Sequence, residues 1–269
     1  MIAISNNLTV ITSKMTKPSY CHSGSLGDII YALPVCKHFG KGDFFVKLHS
    51  IEYTTTKYGY RPEHVSEVHR RQLTVEAFNN LAPLLESQPY INAVVSTDDS
   101  ALEVMYDLDK FRGVMWRTFE GNYLESYFKT FNIPYTAQDI ITPWLIASKT
   151  PISPIIVTRT FRYRNLNSEA TWQKFTQIPN FSTLATFVGL DDEYEDFKQA
   201  FNVNISHYKP KDFLDLACVI NAADHIISNQ TFVYSLAQGL GKATSLECIP
   251  DRPLARNECY FPRPDNYYF

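Results

Sequence analysis

The sequence predicts an α/β protein made of two halves, each built around a parallel β-sheet. Short apolar runs typical of strands alternate with longer amphipathic segments along most of the 269 residues. A proline-containing stretch at residues 148–154 interrupts this alternation, and a second alternating series begins directly after it. The length suits one large domain or two small ones of roughly 100–150 residues each, because domains of that size can bury a stable core.

The alternation assigns strands and helices to each half. In the first half, strands are predicted at residues 8–12, 19–22, 44–48 and 91–95, and helices at residues 28–39, 75–85 and 123–131. In the second half, strands are predicted at residues 155–158, 183–188, 225–228 and 244–248, and helices at residues 191–201, 212–221 and 231–240. We place the domains at residues 1–150 and 151–250, followed by an irregular, proline-rich tail at residues 251–269. Ligands of such sheets bind at the carboxyl ends of the strands, so functional residues are expected at strand-to-helix turns.

Composition narrows the class of protein. The net charge of −3 does not favour a dedicated nucleic-acid binder, because phosphate binding usually requires a basic excess. The five cysteines are odd in number and show no two-residue spacing of a zinc or redox motif, which predicts free thiols in a reducing compartment. The sequence has no signal peptide and no apolar run near the ~18 residues of a membrane span, so we expect a cytoplasmic protein.

The first candidate site is the turn that precedes the helix predicted at residues 28–39. Its loop residues are Ser23, Gly24, Ser25 and Gly27. The glycines allow the backbone to approach a ligand closely, and the helix start offers unpaired amides at the positive end of its dipole. Asp28 is either a residue that stabilises the helix start or a general base at a cleft. Spacing alone leaves both interpretations open.

A matching turn occurs in the second half, between the strand at residues 225–228 and the following helix. Its residues are Asn229, Gln230, Thr231 and Phe232. The backbone amides of a helix start bind anions such as phosphate, and helix capping by Asn229 and Thr231 is compatible with that role. This turn is therefore the second candidate site.

Residues 25–34, Ser-Leu-Gly-Asp-Ile-Ile-Tyr-Ala-Leu-Pro, resemble the N-terminal motif of the heptosyltransferase-like GT-B glycosyltransferases. Residues 236–242 are similar to the Leu-Ala-x-x-Leu-Gly-Lys segment of the same family. The resemblance implies two Rossmann-like domains that face each other across a cleft, with the donor diphosphate at the second turn and Asp28 as the general base. The second turn departs from the family pattern, because Gln230, Phe232 and Ser235 replace its usual Asp, Gly and His. The donor sugar is therefore not identified.

Three further charged residues are candidates for donor binding. Arg159 and Arg162 follow the first strand of the second half, and arginine binds phosphate oxygens bidentately; the alternative is a solvated loop. Glu247 resembles the acidic residue with which many GT-B enzymes hold the ribose, the alternative being an exposed carboxylate at a strand end.

A basic cluster in the first half suits either an acidic acceptor or a solvated loop; its residues are Arg61, His64, His69, Arg70 and Arg71.

The sequence thus predicts a metal-independent glycosyltransferase that moves a sugar from a nucleotide-diphosphate donor to an acceptor hydroxyl. No cofactor is expected apart from the nucleotide-sugar substrate. The acceptor is a glycan, a lipid-linked sugar or, because compact relatives of this kind look like those of bacteriophages, a modified DNA base. Two alternatives remain: a catalytically silent protein that binds a nucleotide or nucleotide sugar, and a sugar-nucleotide epimerase. Closure of the two halves is expected to complete the site.

Overall fold

A computed structural model describes residues 17–48, 73–99, 101–115, 121–249 and 258–269. The strand predicted at residues 8–12 and the basic cluster of Arg61, His64, His69, Arg70 and Arg71 lie outside these described residues. The first-half strands are β1 (Ser19–His22), β2 (Gly42–Lys47), β3 (Ile91–Thr97) and β4 (Tyr106–Asp107). The first-half helices are α1 (Leu26–Phe39), α2 (Val75–Glu86), α3 (Phe111–Met115), α4 (Tyr123–Thr130) and α5 (Ala137–Ile141), with a 3₁₀ turn at Leu108–Lys110.

The second half continues the alternation after a connection that contains the predicted domain boundary. Its strands are β5 (Ile155–Thr158), β6 (Ala185–Val188), β7 (Ser206–Tyr208), β8 (His225–Asn229), β9 (Ala243–Glu247) and β10 (Asn266–Tyr268). Its helices are α6 (Glu169–Thr176), α7 (Phe181–Leu184), α8 (Asp191–Phe201), α9 (Phe213–Ala222) and α10 (Phe232–Gly239), with a 3₁₀ turn at Leu166–Ser168.

Each half has its own parallel sheet, as the alternation predicts. The strand orders are β3-β2-β1-β4 in the first half and β10-β9-β8-β5-β6-β7 in the second, and the paired strands run parallel. The second order is that of a doubly wound nucleotide-binding fold. In the first sheet, β2 and β3 lie on one side of β1 and β4 lies on the other. In the second sheet, β6 and β7 lie on one side of β5 and β8 lies on the other, so the strand order reverses once in each sheet. Ligands bind at such reversals, so each half has one expected binding edge.

Apolar side chains of the second sheet alternate between its two faces. Ile156 of β5 and Ile226 of β8 belong to the main core, whereas Val157 and Ile227, the next residue on each strand, belong to a smaller cluster around Trp172. Successive side chains of a strand point to opposite faces, and a parallel sheet is normally covered on both. This explains why these strands read as continuous apolar runs in the sequence.

The main core extends across both halves. Helix α1 packs on α10, and α2 packs on α9, each pair joining one helix from each half. The indole N–H of Trp144, in the connection, donates to the carbonyl of Ile30 over 2.9 Å. Phe261, in the C-terminal segment, stacks on Tyr31 of α1 with ring centroids 5.7 Å apart. The two binding edges are therefore fixed relative to each other by buried apolar contacts.

Two expectations for the second half were wrong in detail. The strand predicted at residues 183–188 begins at Ala185, because Phe181–Leu184 forms the short helix α7. The predicted irregular tail ends in strand β10, which pairs with β9 from Asn266 opposite Thr244 onward. This strand begins after the last proline, where backbone N–H groups are again available for pairing. Within the described residues, no helix is long and apolar enough to cross a membrane.

Candidate active site

The two binding edges meet where α1 and α10 begin. A Cβ atom placed on Gly27, at the start of α1, would lie 3.5 Å from the Oγ atom of Ser235 in the first turn of α10. The turns after β1 and β4 in one sheet and after β5 and β8 in the other therefore converge on one region. The sequence predicts candidate residues at three of these four turns, all except the one after β4.

Asp28 forms a partly buried ion pair with Arg112, a residue for which the sequence predicts no role. The Nη1 atom of Arg112 donates to the Oδ2 atom of Asp28 over 2.9 Å, and its Nη2 atom donates to the carbonyl of Gly24. Arg112 Nη2 also lies 3.4 Å from Oδ1 of Asp109. The Asp109 carboxylate in turn accepts hydrogen bonds from the backbone N–H and the hydroxyl of Ser23, over 3.0 and 2.8 Å. Residues 23–28, which we call the cleft loop, are thus held by two side chains from the β4 turn.

His22, at the end of β1, fixes the other side of the cleft loop as a neutral imidazole. Gly24 N–H donates to Nδ1 of His22 over 2.9 Å, so Nε2 carries the ring proton. Nε2 then donates to the Tyr127 hydroxyl over 2.7 Å, and that hydroxyl donates to the Asp28 carbonyl over 3.0 Å. Burial, despite the neighbouring Asp109, lowers the pKa of His22 from 6.5 to about 4. His22 therefore has a positioning role at neutral pH.

The Asp28 carboxylate is ionised and partly open to the cleft. Burial alone would raise the pKa of Asp28, but the charge and hydrogen bond of Arg112, together with the N–H of Ser25, lower it below 3.8. Both donors bind Oδ2, with Ser25 N–H at 3.2 Å. Within the described residues, Oδ1 has no hydrogen bond, and 15% of the side chain is exposed. Such an oxygen can accept a proton from a bound hydroxyl.

In the second half, Arg159 and Glu247 bind each other. The Nε and Nη2 atoms of Arg159 donate to Oε2 and Oε1 of Glu247 over 3.1 and 3.0 Å, and both side chains are almost fully buried. Oε1 of Glu247 also accepts the Asn165 N–H and the Ser168 hydroxyl. A ligand that binds Glu247 through its ribose would have to displace one of these donors, so the observed role of the pair is to organise the loop after β5.

Asn229 holds the same loop against the start of α10. Its side-chain carbonyl accepts the Thr160 N–H over 3.1 Å, and its amide donates to the carbonyls of Thr160 and Arg162 over 3.0 and 2.8 Å. The Arg162 side chain is exposed, and its guanidinium lies 4.1 Å from the ring centroid of Tyr163. We call residues 159–165 the β5 loop; Arg162 is its exposed cation.

The start of α10 lacks a side-chain cap. The N-cap residue Thr231 makes no capping hydrogen bond, and its buried Oγ1 atom has no hydrogen-bond partner among the described residues. The first turn of α10 also carries no acidic residue. Uncapped amides at a positive dipole end can bind an anion. The side chains of the two neighbouring candidates are engaged in contacts within the protein. Gln230 forms a hydrogen bond with the thiol of Cys259, and the ring of Phe232 packs on that of Phe213 with centroids 4.6 Å apart.

Solved structures with a similar fold are known. No family model and no curated protein matches the sequence. A glycosyl transferase family 9 structure from Veillonella parvula is similar, with a TM-score of 0.55 and 10% identity, covering 94% of this chain and 86% of that one. The heptosyltransferase WaaC of E. coli, solved with ADP, has a TM-score of 0.50 and 14% identity over 94% of this chain and 92% of its own.

A third similar structure is TibC of enterotoxigenic E. coli, a dodecameric, iron-containing glycosyltransferase. Its TM-score is 0.50 and its identity 13%, over 93% of this chain and 62% of TibC. Within the part of this chain that the structure describes, no group of three His, Cys, Asp or Glu side chains is arranged to hold a metal ion. The likeness to these proteins confirms the predicted fold: this chain is an α/β protein of the GT-B type, with two Rossmann-like halves.

Proposed function

We propose that this chain is a glycosyltransferase that uses a nucleotide-diphosphate sugar as its donor. The observation that carries the proposal is the convergence of two binding edges, one with an ionised carboxylate and one with an uncapped helix start. Asp28 would bind the acceptor hydroxyl, and the first-turn amides of α10 with Arg162 would bind the donor diphosphate. These are the two kinds of group that transfer of a sugar to a hydroxyl requires.

In the proposed reaction the acceptor oxygen attacks the anomeric carbon of the donor sugar. Asp28 takes the hydroxyl proton on Oδ1 as the new C–O bond forms. The bond between the anomeric carbon and the diphosphate oxygen breaks, and its electron pair leaves on the diphosphate. The α10 amides and the Arg162 guanidinium stabilise that negative charge. Because these groups are cationic or carry partial positive charge, we expect transfer to continue in the presence of EDTA.

The experiment is a donor screen followed by substitution of Asp28. Thermal-shift measurements with nucleotide sugars identify the donor, and mass spectrometry of products then tests transfer to glycans, lipid-linked sugars and modified DNA. We expect Asp28→Asn to lower kcat by about 10²–10⁴-fold with donor binding nearly unchanged, since the loss of a general base has an effect of that size.

Asp139→Asn is the matched control. Asp139, like Asp28, is the third residue of its helix and accepts the N–H of the preceding cap residue, but it lies exposed at α5. We expect this variant to retain wild-type transfer. Unchanged turnover in Asp28→Asn would refute the assignment of the base.

A catalytically silent protein that binds a nucleotide sugar is the second candidate. It is favoured by the ion pair with Arg112, because a carboxylate of lowered pKa is a weaker proton acceptor. Donor binding without any product, with every acceptor class tested, would select this candidate. Conversion of the donor without an acceptor would instead indicate an epimerase. The cytoplasmic location and the bacteriophage origin stay predictions.

A further inference from the structure

Arg112 is the side chain that joins the two ends of the cleft loop. Its guanidinium donates to the carboxylate of Asp28 through Nη1 and to the carbonyl of Gly24 through Nη2. Its carbon Cζ lies 4.7 Å from the ring centroid of Phe111, and only 8% of its side chain is exposed. The planar fork of arginine suits two acceptors at fixed separation, which a lysine ammonium does not match.

The Arg112 guanidinium binds one carboxylate oxygen of Asp28, Oδ2. Among the described residues, no hydrogen bond reaches the other oxygen, Oδ1. Oδ2 accepts both Arg112 Nη1 and Ser25 N–H, so the carboxylate cannot rotate without losing two hydrogen bonds. A second acid, Asp109, lies 3.4 Å from Nη2 of Arg112 and accepts a hydrogen bond from the Ser23 hydroxyl. Arg112 is thereby held in place by an ion pair that does not involve the reacting carboxylate.

We propose that Arg112 is a positioning residue that orients Asp28 so that Oδ1 is presented to the acceptor hydroxyl. The inference rests on the proposed function for its catalytic meaning, but its structural content concerns only the Asp28–Arg112 pair. The fork also fixes the Gly24 carbonyl, and Gly24 has a φ of +102°, a left-handed conformation that favours glycine. Arg112 thus fixes both the backbone of the cleft loop at Gly24 and the carboxylate of Asp28.

Among the residues that the structure describes, the other ionisable groups near Asp28 or its neighbours are acids, tyrosines, a cysteine and the neutral His22. These groups, from β1, the β4 turn, α1, α4 and the C-terminal segment, are His22, Asp109, Tyr31, Tyr123, Glu258 and Cys259. Burial raises the pKa of Tyr31, Tyr123 and Cys259, so these three stay neutral near pH 7. Arg112 is therefore the positive charge of this set, and its removal has a specific electrostatic consequence.

The test measures the ionisation of Asp28 directly, by ¹³C NMR of aspartate-labelled protein with the signal assigned by its loss in Asp28→Asn. In the wild type we expect a pKa below 3.8. In Arg112→Gln we expect the pKa to rise by about 1–3, the usual effect of removing an opposite charge in contact. Arg112→Lys keeps the charge and should retain a pKa below 3.8.

Arg164→Gln is the matched control, since it removes an Arg–Asp pair in the second half, with Asp196 at 2.7 Å. It should leave the pKa of Asp28 unchanged. A wild-type pKa at or above 3.8 overturns the inference even when Arg112→Gln does not fold, and so does an unchanged pKa in a folded Arg112→Gln.

Activity separates this inference from the proposed function. If the wild type transfers a sugar, the acid limb of its kcat/KM profile should move to higher pH in Arg112→Gln and return in Arg112→Lys, which keeps the charge. The value of kcat should stay lowered in both variants, because neither has the fork that orients Asp28. A shifted Asp28 pKa in a protein that transfers no sugar would leave the positioning role standing and reject the function. Sugar transfer by the wild type with no effect of either Arg112 substitution would support the proposed function and reject the positioning role.

Discussion

At the scale of single residues, the neutral state of His22 links the stability of the fold to pH. The unfolded chain takes up a proton on this histidine near pH 6.5, whereas the folded chain resists until about pH 4. Stability is therefore unaffected by His22 above pH 6.5 and decreases as the pH falls towards 4. A pKa difference of this size corresponds to roughly 3 kcal/mol in the free energy of unfolding.

Urea denaturation at several pH values between 7.5 and 4.5 measures this contribution. The His22→Gln variant removes the titrating group, so the difference between wild type and variant isolates His22 from the carboxylates that titrate in the same range. We expect the difference in the free energy of unfolding to change with pH only below about 6.5. A His22 ring signal that titrates near 6.5 in the folded protein would contradict the assignment.

The same residues show what the sequence can and cannot reveal. Asp28 is a candidate because it follows glycines at a helix start and because the resemblance of residues 25–34 implies a base there. Arg112 is 84 positions away in the chain, and its role depends on β4 lying beside β1. Strand β4 has only two residues, so no apolar run in the sequence predicts it. The signal that was available is local: an Asp followed three residues later by an Arg, as in Asp109 and Arg112.

At the scale of secondary-structure elements, the buried Arg159–Glu247 pair links the β5 loop to the end of β9. Removing one partner leaves the other charge buried without compensation, which typically costs about 3–5 kcal/mol. We therefore expect Glu247→Gln to lower the free energy of unfolding by about that amount. The double substitution Arg159→Met with Glu247→Leu should cost less, because it removes both charges.

Urea unfolding of the two single variants and the double variant tests this prediction. Lys198→Gln, which breaks a partly exposed pair with Glu195, is the control and should change stability by at most about 1 kcal/mol. A Glu247→Gln variant as stable as the wild type would show that the carboxylate is not tied to Arg159 in solution. It would also restore Glu247 as a group that a donor can reach.

Most strands and helices were predictable because their burial leaves a regular apolar pattern in the sequence. Regular strands such as β5 and β8 are covered on both faces, so their sequences are continuous apolar runs. The elements that the sequence did not reveal include the short β4, α3 and β10 and also the eight-residue helix α6. Their positions depend on neighbouring strands and on side-chain contacts, which a periodicity analysis does not contain.

At the scale of the whole molecule, one buried apolar core is shared by the two halves. Two independent domains would each have a core, with a polar interface that permits movement between them. Here one cluster of buried residues includes Leu33 of α1 and Leu236 of α10. Trp144 and Phe261 lie between the halves and contact each other with ring centroids 6.1 Å apart. A large opening of the cleft would expose these apolar surfaces to water.

This shared core predicts that the two halves unfold together. Calorimetry of the wild type should show one transition, with a calorimetric enthalpy equal to the van't Hoff enthalpy. Phe261→Ala, between the halves, should lower the stability of that single transition by about 3–5 kcal/mol. Phe187→Ala, in the separate cluster on the other face of the second sheet, is the matched control and should also shift one transition as a whole. Two resolved transitions in the wild type, or a Phe187→Ala effect confined to one of them, would show that the halves are separate folding units joined by a weak interface.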